Sequence, residues 1–250
     1  MGAYTVLGRY EIHGIDFLGG QFQNVVDFIE EAHNDRAACL IGFAPMTSIA
    51  DAIIDTTYKD ILNQFDVICM DGASVVKMVK GDHYWTPERC SGPDVMAEII
   101  RRTAYSKTRH FLYGTSKETL AKLKENLESE GALIVGTMAP PFLPASEWER
   151  REWKDPDMCR AVQETKADYV WVALGAPKQE RLCAASKMEL PGVKLMAVGA
   201  AFNFLSGTVK RAPVSWQKAG FEWLWRILYE PKQFFRYVKS AIVCFVTRDR

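Results

Sequence analysis

Short apolar runs, each closed by glycine or proline, alternate along the chain with longer stretches in which apolar residues return every three or four positions. The runs Ala38–Phe43, Val67–Met70, His110–Tyr113, Leu133–Val135, Tyr169–Leu174 and Leu195–Val198 predict buried strands. The stretches Gln21–His33, Gly92–Ala104, Ser116–Glu130, Pro156–Thr165 and Lys178–Met188 predict helices, with Ser116 as an N-cap after the Gly114 turn. Strand and helix in alternation give an α/β fold, a mostly parallel Rossmann-like sheet with helices on both faces. Pro140-Pro141 through Pro144 reads as a stiff loop.

After Gly207 the pattern changes. Two helical patterns, Phe221–Tyr229 and Lys232–Val246, are separated at Pro231. The first aligns Phe221, Leu224, Trp225 and Leu228. The second aligns Phe234, Tyr237, Val238, Ala241 and Phe245, with Lys232, Arg236 and Lys239 opposite. This divides the chain into an α/β core, residues 1–206, and a C-terminal amphipathic helical appendage, residues 207–250. Such helices suit a membrane interface, packing on the core, or a homo-oligomer contact.

Charge sharpens that division. The chain has 31 basic and 31 acidic residues, so no global excess points to nucleic acid. From Lys210 onward, however, nine basic residues face three acidic ones, which suggests an anionic partner for the appendage. The six cysteines form no CxxC pair, and Cys39, Cys69 and Cys244 sit in apolar runs as buried thiols. The opening residues lack a signal-peptide pattern, the context of Gly2 does not support myristoylation, and no window is long and apolar enough to span a membrane. A cytoplasmic, reducing location is expected.

Candidate chemistry lies at the predicted strand ends. Gly175-Ala176-Pro177 allows close approach of a ligand, and Lys178, Gln179 and Glu180 follow at the carboxyl end of a strand, where open α/β sheets bind ligands. A strand, a turn and a solvated first helical turn explain the same residues equally well. Asp71-Gly72 supplies either a general base or a helix cap. Arg89 either meets an anion or pairs internally with Asp94. Gly199 to Asn203 repeats the strand-then-small-residue pattern, and Lys210-Arg211 is a cation pair suited to phosphate. Neither a dinucleotide glycine fingerprint nor a P-loop is present, which argues against an NAD- or S-adenosylmethionine-dependent enzyme. The four histidines stand apart, so no metal site is expected, and Asp155-Pro156-Asp157 reads as a helix start.

Taken in order, these residues resemble the WecG/TagA/CpsF family of bacterial glycosyltransferases (glycosyltransferase family 26). The resemblance rests on Asp71-Gly72, Glu88-Arg89 with Gly92 and Asp94, Leu112-Tyr113-Gly114, Gly136 through Phe142 and Gly175 through Glu180. It continues with Gly199 through Phe204, Gly207, Lys210 through Pro213, Glu222 through Arg226, and Glu230-Pro231. It implies inverting transfer of a sugar from a UDP-sugar to a polyprenyl-diphosphate-linked saccharide, with no metal or other cofactor, in bacterial surface or exopolysaccharide synthesis. The protein would sit peripherally on the inner face of the cell membrane through residues 207–250.

The roles carried over are Asp71 as general base, with Arg89 and Gln179 on the donor sugar or its diphosphate. Tyr113-Gly114 and the loop near Gly136 would take the uridine, and Arg211, Arg226 and Arg236 the diphosphate charge. Two positions depart from the family pattern: Ile41-Gly42-Phe43 replaces a Thr-x-Asn element, and Asn203 stands where aspartate is common. They leave room for a different function, a non-catalytic nucleotide-sugar or lipid-head-binding protein on the same fold.

Overall fold

The computed structural model describes residues 7–79, 86–218, 221–229 and 233–247. The motif residues Glu230 and Pro231, and Lys232, lie outside them, as do the side chains of Arg226 and Leu228. The first elements are an antiparallel hairpin, β1 (Gly8–Ile12) and β2 (Ile15–Gly19). It turns at His13-Gly14, both with positive φ, as a two-residue hairpin turn requires. Next come α1 (Phe22–Glu31), β3 (Cys39–Ala44), α2 (Met46–Ile54), α3 (Thr56–Leu62), β4 (Val67–Met70) and a short α4 (Ala73–Val76). The chain continues through α5 (Gly92–Thr103), β5 (Arg109–Gly114), α6 (Lys117–Ser129), β6 (Leu133–Met138), α7 (Ala145–Arg150) and α8 (Pro156–Thr165). Then follow β7 (Tyr169–Ala173), α9 (Lys178–Ser186), β8 (Lys194–Ala197) and α10 (Ala201–Leu205). Three further helices are α11 (Val214–Lys218), α12 (Glu222–Tyr229) and α13 (Gln233–Val246).

Across the sheet the order is β1-β2-β4-β3-β8-β7-β5-β6, parallel throughout except between β1 and β2. All the parallel strands therefore end on one edge. The chain leaves β4 on one side of the sheet and re-enters at β5 on the other, so β3, β8 and β7 meet at a topological switch point, where such sheets form their crevice.

Period-two alternation places two cores on the two faces of the sheet. Leu40, Ile68, Phe111, Val170, Val172 and Leu195 face α2, α3, α8 and α9, among them Ile49, Tyr58, Leu62, Val162 and Leu182. Cys39, Ile41, Val67, Leu112, Trp171 and Met196 face α1, α5 and α6, which contribute Val26, Ile29, Val95, Ile99 and Leu123. All six cysteines are buried free thiols. Ser116 caps α6 by accepting from the Thr119 amide, and Asp155 caps α8 by accepting from the Met158 amide.

In α13 the apolar face that the sequence predicts is divided: Phe234, Tyr237, Val238 and Ala241 border the cleft described below, and Phe245 is exposed. The stripe of α13 that packs inward is Arg236, Ser240 and Cys244, one residue in four, with Val243 beside it on the apolar core. Arg236 pairs with Asp51 of α2 at 2.9 Å, and the Cys244 thiol lies 3.8 Å from the Met46 carbonyl oxygen. The aromatic face points out: Phe235 is 78% and Phe245 76% exposed, with Ile242 and Val246 beside them. The partly exposed pair of Arg236 with Asp51 and the small side chains of Ser240 and Cys244, which admit close helix approach, accompany this orientation, while Lys239 stays exposed. Among the described residues no helix is long and apolar enough to cross a membrane.

Candidate functional site

The loops after β3, β4, β7 and β8 enclose a cleft of about 610 Å³. Its floor is built from Pro45–Ser48, Asp71–Ser74, Gly175-Ala176 and Val198–Ala200, together with Arg89, Gln179 and Arg211. Helices α12 and α13 form its outer wall with Phe221, Trp223, Ile227, Phe234, Tyr237 and Val238. The site is polar beneath and apolar above.

Asp71 follows directly on β4 and lines this cleft. The cap position of α4 is Gly72, so Asp71 stands one residue before the cap. Gly72 has φ +119°, a conformation that side chains rarely adopt, and the reversal turns the chain sharply at Asp71.

Two arginines converge beside it and share two carboxylates. Arg89 contacts Asp94 at 2.8 Å, and Arg211 contacts both Asp94 oxygens, at 2.5 and 3.0 Å. Glu222, the first residue of α12, closes the ring by accepting from Arg211 at 3.1 Å and from Arg89. Ser91 donates to Asp94 at 2.5 Å, and Gln217 accepts from Arg89 at 3.5 Å. Burial pushes the Asp94 carboxyl up. The hydrogen bonds from Arg211 and Ser91 and the charges of both arginines outweigh burial and hold it below the ordinary value. Burial likewise opposes the charge on Arg211, and Asp94 and Glu222 more than restore it. The internal pairing of Arg89 with Asp94 is thus present, in a ring that also ties α12 to the core.

Gln179 lines the cleft without a free hydrogen-bonding position. Its Oε1 accepts from the amides of Gly175 and Gly199, both at 3.1 Å. Its Nε2 donates to Ala197 O at 3.2 Å and to Glu180 Oε1 at 2.9 Å. An amide offers two acceptor sites and two donors, so all four are taken, and the side chain is not available to hold a donor sugar. Glu180 is 2% exposed, not part of a solvated first turn. Burial raises its carboxyl to about 7 against the opposing hydrogen bond from Gln179. Its Oε2, the Tyr58 hydroxyl and the Ser48 hydroxyl are buried without a hydrogen-bond partner in good geometry, although Tyr58 is near enough to both to affect protonation.

The remaining expected site residues separate. Arg236 and Gly175 line the cleft. Arg226 falls within α12. Tyr113 is fully buried on the α8 side, its hydroxyl donating to Asp155 at 2.6 Å, and burial pushes its pKa well up. Gly114 and Gly136 are packing glycines: a Cβ would stand 2.4 Å from Ala173 O in the first and 2.4 Å from the Phe111 ring in the second. These three residues are not brought to the cleft. Lys178 donates to Leu143 O at 3.2 Å beside the exposed Phe142 ring, and Lys210 is exposed. Asn203 lies on α10, where its backbone carbonyl accepts from Val209, Ser206 and Thr208. Ser48, Asp51 and Tyr58 carried no sequence signal, while Glu222 was visible only as one letter of a motif. Among the described residues no three His, Cys, Asp or Glu side chains gather as a metal-ligating group.

Residues 10–249 match the model of the glycosyl transferase WecG/TagA/CpsF family. The matched stretch contains the whole cleft, from the loop after β3 to the outer wall on α13. A match of that extent, on an α/β fold with its polar residues gathered at the switch point, is decisive for kinship: the chain belongs to the WecG/TagA/CpsF family of glycosyltransferases.

Proposed function

We propose that the chain is an inverting transferase that moves a sugar from a UDP-sugar to a saccharide carried on a polyprenyl diphosphate, working peripherally on the inner face of the bacterial cell membrane. The observation that supports this most is the two-natured cleft, with Asp71, Arg89 and Arg211 on its floor and Phe221, Trp223, Ile227 and Phe234 on its wall. A phosphorylated head with a hydrocarbon tail requires charge partners and apolar cover within one site.

In this reading Asp71 accepts the proton of the acceptor hydroxyl while that oxygen attacks the anomeric carbon and the bond to UDP breaks. A carboxylate is a weak base, and concerted transfer lets it suffice, because the hydroxyl acidifies as its new bond forms. Arg89 and Arg211, with Arg226 and Arg236, offset charge on the diphosphate. No covalent enzyme intermediate is needed. The outward aromatic face of α13 would rest in the membrane interface.

The test is UDP release and product formation with a panel of UDP-sugars and detergent-solubilised polyprenyl-diphosphate saccharides. One donor should give acceptor-dependent turnover, and Asp71→Asn should lower it by about a hundredfold or more. Wild-type turnover in D71N removes Asp71 as the base. Donor binding without turnover on any acceptor is the result expected of a non-catalytic nucleotide-sugar- or lipid-head-binding protein.

A further inference from the structure

Two turns of the cleft floor are held by one buried side chain. Gly175, after β7, has φ +78°, and Gly199, after β8, has φ +57°. Both are left-handed turns that glycine adopts without strain. Their amides point at the same atom, Gln179 Oε1, and the opposite end of that carboxamide donates to Ala197 O and Glu180. Three of these four partners are backbone groups whose donor or acceptor nature is fixed, so the direction of the carboxamide is determined. A flipped amide would set NH2 against two N–H groups and oxygen against two oxygens. Glu180 is the only side chain among the four.

We propose that Glu180 is the positioning residue of this cleft: its carboxyl is the fourth partner of the Gln179 carboxamide and tightens the bolt that joins the Gly175 and Gly199 turns. The inference concerns the site of the proposed transferase and rests on that reading only for its ligand. Glu180 Oε1 accepts from Gln179 whether or not the group carries a proton, so the bolt survives ionisation. Oε2 faces Tyr58 from α3, with Arg236 of α13, Asp51 of α2 and Cys183 of α9 as the other charged or titratable groups around this pocket. Losing the acceptor leaves a buried N–H of Gln179 without a partner, and the carboxamide, still directed by its three backbone partners, holds both glycines less firmly.

The experiment pairs amide hydrogen exchange with binding of UDP. In E180L the Gly175 and Gly199 amides should exchange about tenfold faster, the effect of one lost buried hydrogen bond, while those of Leu112 and Tyr113 in β5 keep their rates. The UDP Kd should rise by about the same factor, and E180Q, which keeps an acceptor oxygen, should stay within about threefold of wild type in both readouts. Wild-type exchange at both glycines in E180L, or acceleration spread equally through β5, overturns the proposal. If E180L does not fold, Q179E and the swapped double variant Q179E/E180Q decide. The single change sets a carboxyl against both Glu180 and the Ala197 carbonyl oxygen and should weaken UDP binding; the double change restores a donor–acceptor pair between 179 and 180, leaves Ala197 O without its donor, and should recover part of the loss. No recovery also overturns the proposal. If UDP fails to bind the wild-type protein, the transferase reading fails, while glycine exchange in E180L and E180Q still tests Glu180.

Discussion

Removing the Glu222 carboxylate tests whether the ring of arginines and carboxylates is what fastens α12 over the cleft. In Glu222→Ala, Arg89 and Arg211 each lose one partner and keep Asp94, so the core should stay folded and the loss should fall on the helix. Glu222, Arg89 and Arg211 are each about one-fifth exposed, at 19%, 20% and 21%. Their interaction therefore falls between exposed pairs, worth up to about 1 kcal/mol, and fully buried pairs, whose rupture costs about 3–5 kcal/mol; about 2 kcal/mol is reasonable. That is about a thirtyfold change in the ratio of docked to undocked helix. Another polar tie of α12 among the described residues is the Trp225 indole donating to Lys210 O at 3.3 Å, which does not replace an ion pair. Hydrogen exchange followed by mass spectrometry should show peptides spanning 214–229 opening faster by about that factor, with a β3 peptide as unchanged reference. Equal exchange of 214–229 in E222A and wild type would refute the reasoning, and would mean that packing of Trp216 on Trp225 and the cleft wall suffices.

The proton on Glu180 should make stability pH-dependent. Its folded value, about 7, lies above the ordinary 4.5, so the folded state keeps a proton that the unfolded chain releases, and stability falls as pH rises from about 4.5 to about 7. The full difference is about 3 kcal/mol. Urea melts at pH 5 and pH 8 should show this fall in wild type and a flatter response in E180Q; equal slopes in the two proteins would count against it. Gly114→Ala places a methyl group 2.4 Å from the Ala173 carbonyl oxygen at φ +129°, and should cost about 2–4 kcal/mol in the same assay. Phe235→Ser with Phe245→Ser alters side chains that are 78% and 76% exposed, so Tm should hold while flotation on anionic vesicles drops about tenfold. Undiminished flotation would remove α13 as the membrane face.

The parallel core was legible because each of its strands is a compact apolar run with a turn residue behind it, and β4 and α8 have the expected limits. The hairpin was not: GRYEI and IDFLG carry Arg9, Glu11 and Asp16 at alternating positions of an edge pair, and no apolar run forms. Its one signal is Gly14 in a two-residue turn. Helix α2 follows a proline and is apolar on most sides because it lies between the sheet and α13, so its periodicity is weak. At the site, strand-end position located Asp71 and Gly175 at the cleft, since every parallel strand must end on the same edge, and Arg89 was legible as a cation just before a helix start. The resemblance assigned Tyr113 to the uridine, whereas alternation within β5 sends its ring to the face where Asp155 caps α8. Nor can a sequence show that Gln179 is saturated, because three of its four partners are backbone groups of other loops.

The attachment of the C-terminal helices bears on what their apolar surface is for. A helix that docks by hydrophobic burial turns its largest apolar residues inward, as α1 does with Val25, Val26 and Ile29. Helix α13 turns only Val243 and Cys244 onto the apolar core, beside an ion pair and a serine, and leaves Phe235, Ile242, Phe245 and Val246 outward. Helix α12 is likewise anchored through Glu222, while Trp223 and Leu224 remain partly open. Polar contacts thus share in setting where the two helices lie, and the hydrophobic free energy of their outer faces, about 25 cal/mol for each Å² removed from water, is left for another surface. Because these helices also wall the cleft, whatever covers that face also borders the floor that carries Asp71 and the two arginines. On the membrane reading, a lipid-borne acceptor would reach the cleft from the same side that the protein presents to the bilayer, without leaving an apolar environment. Two serines at positions 235 and 245 should then lower turnover on a lipid-linked acceptor in vesicles while leaving it intact on a short-chain acceptor in detergent. Equal loss on both acceptors would place the effect in the cleft rather than at the membrane.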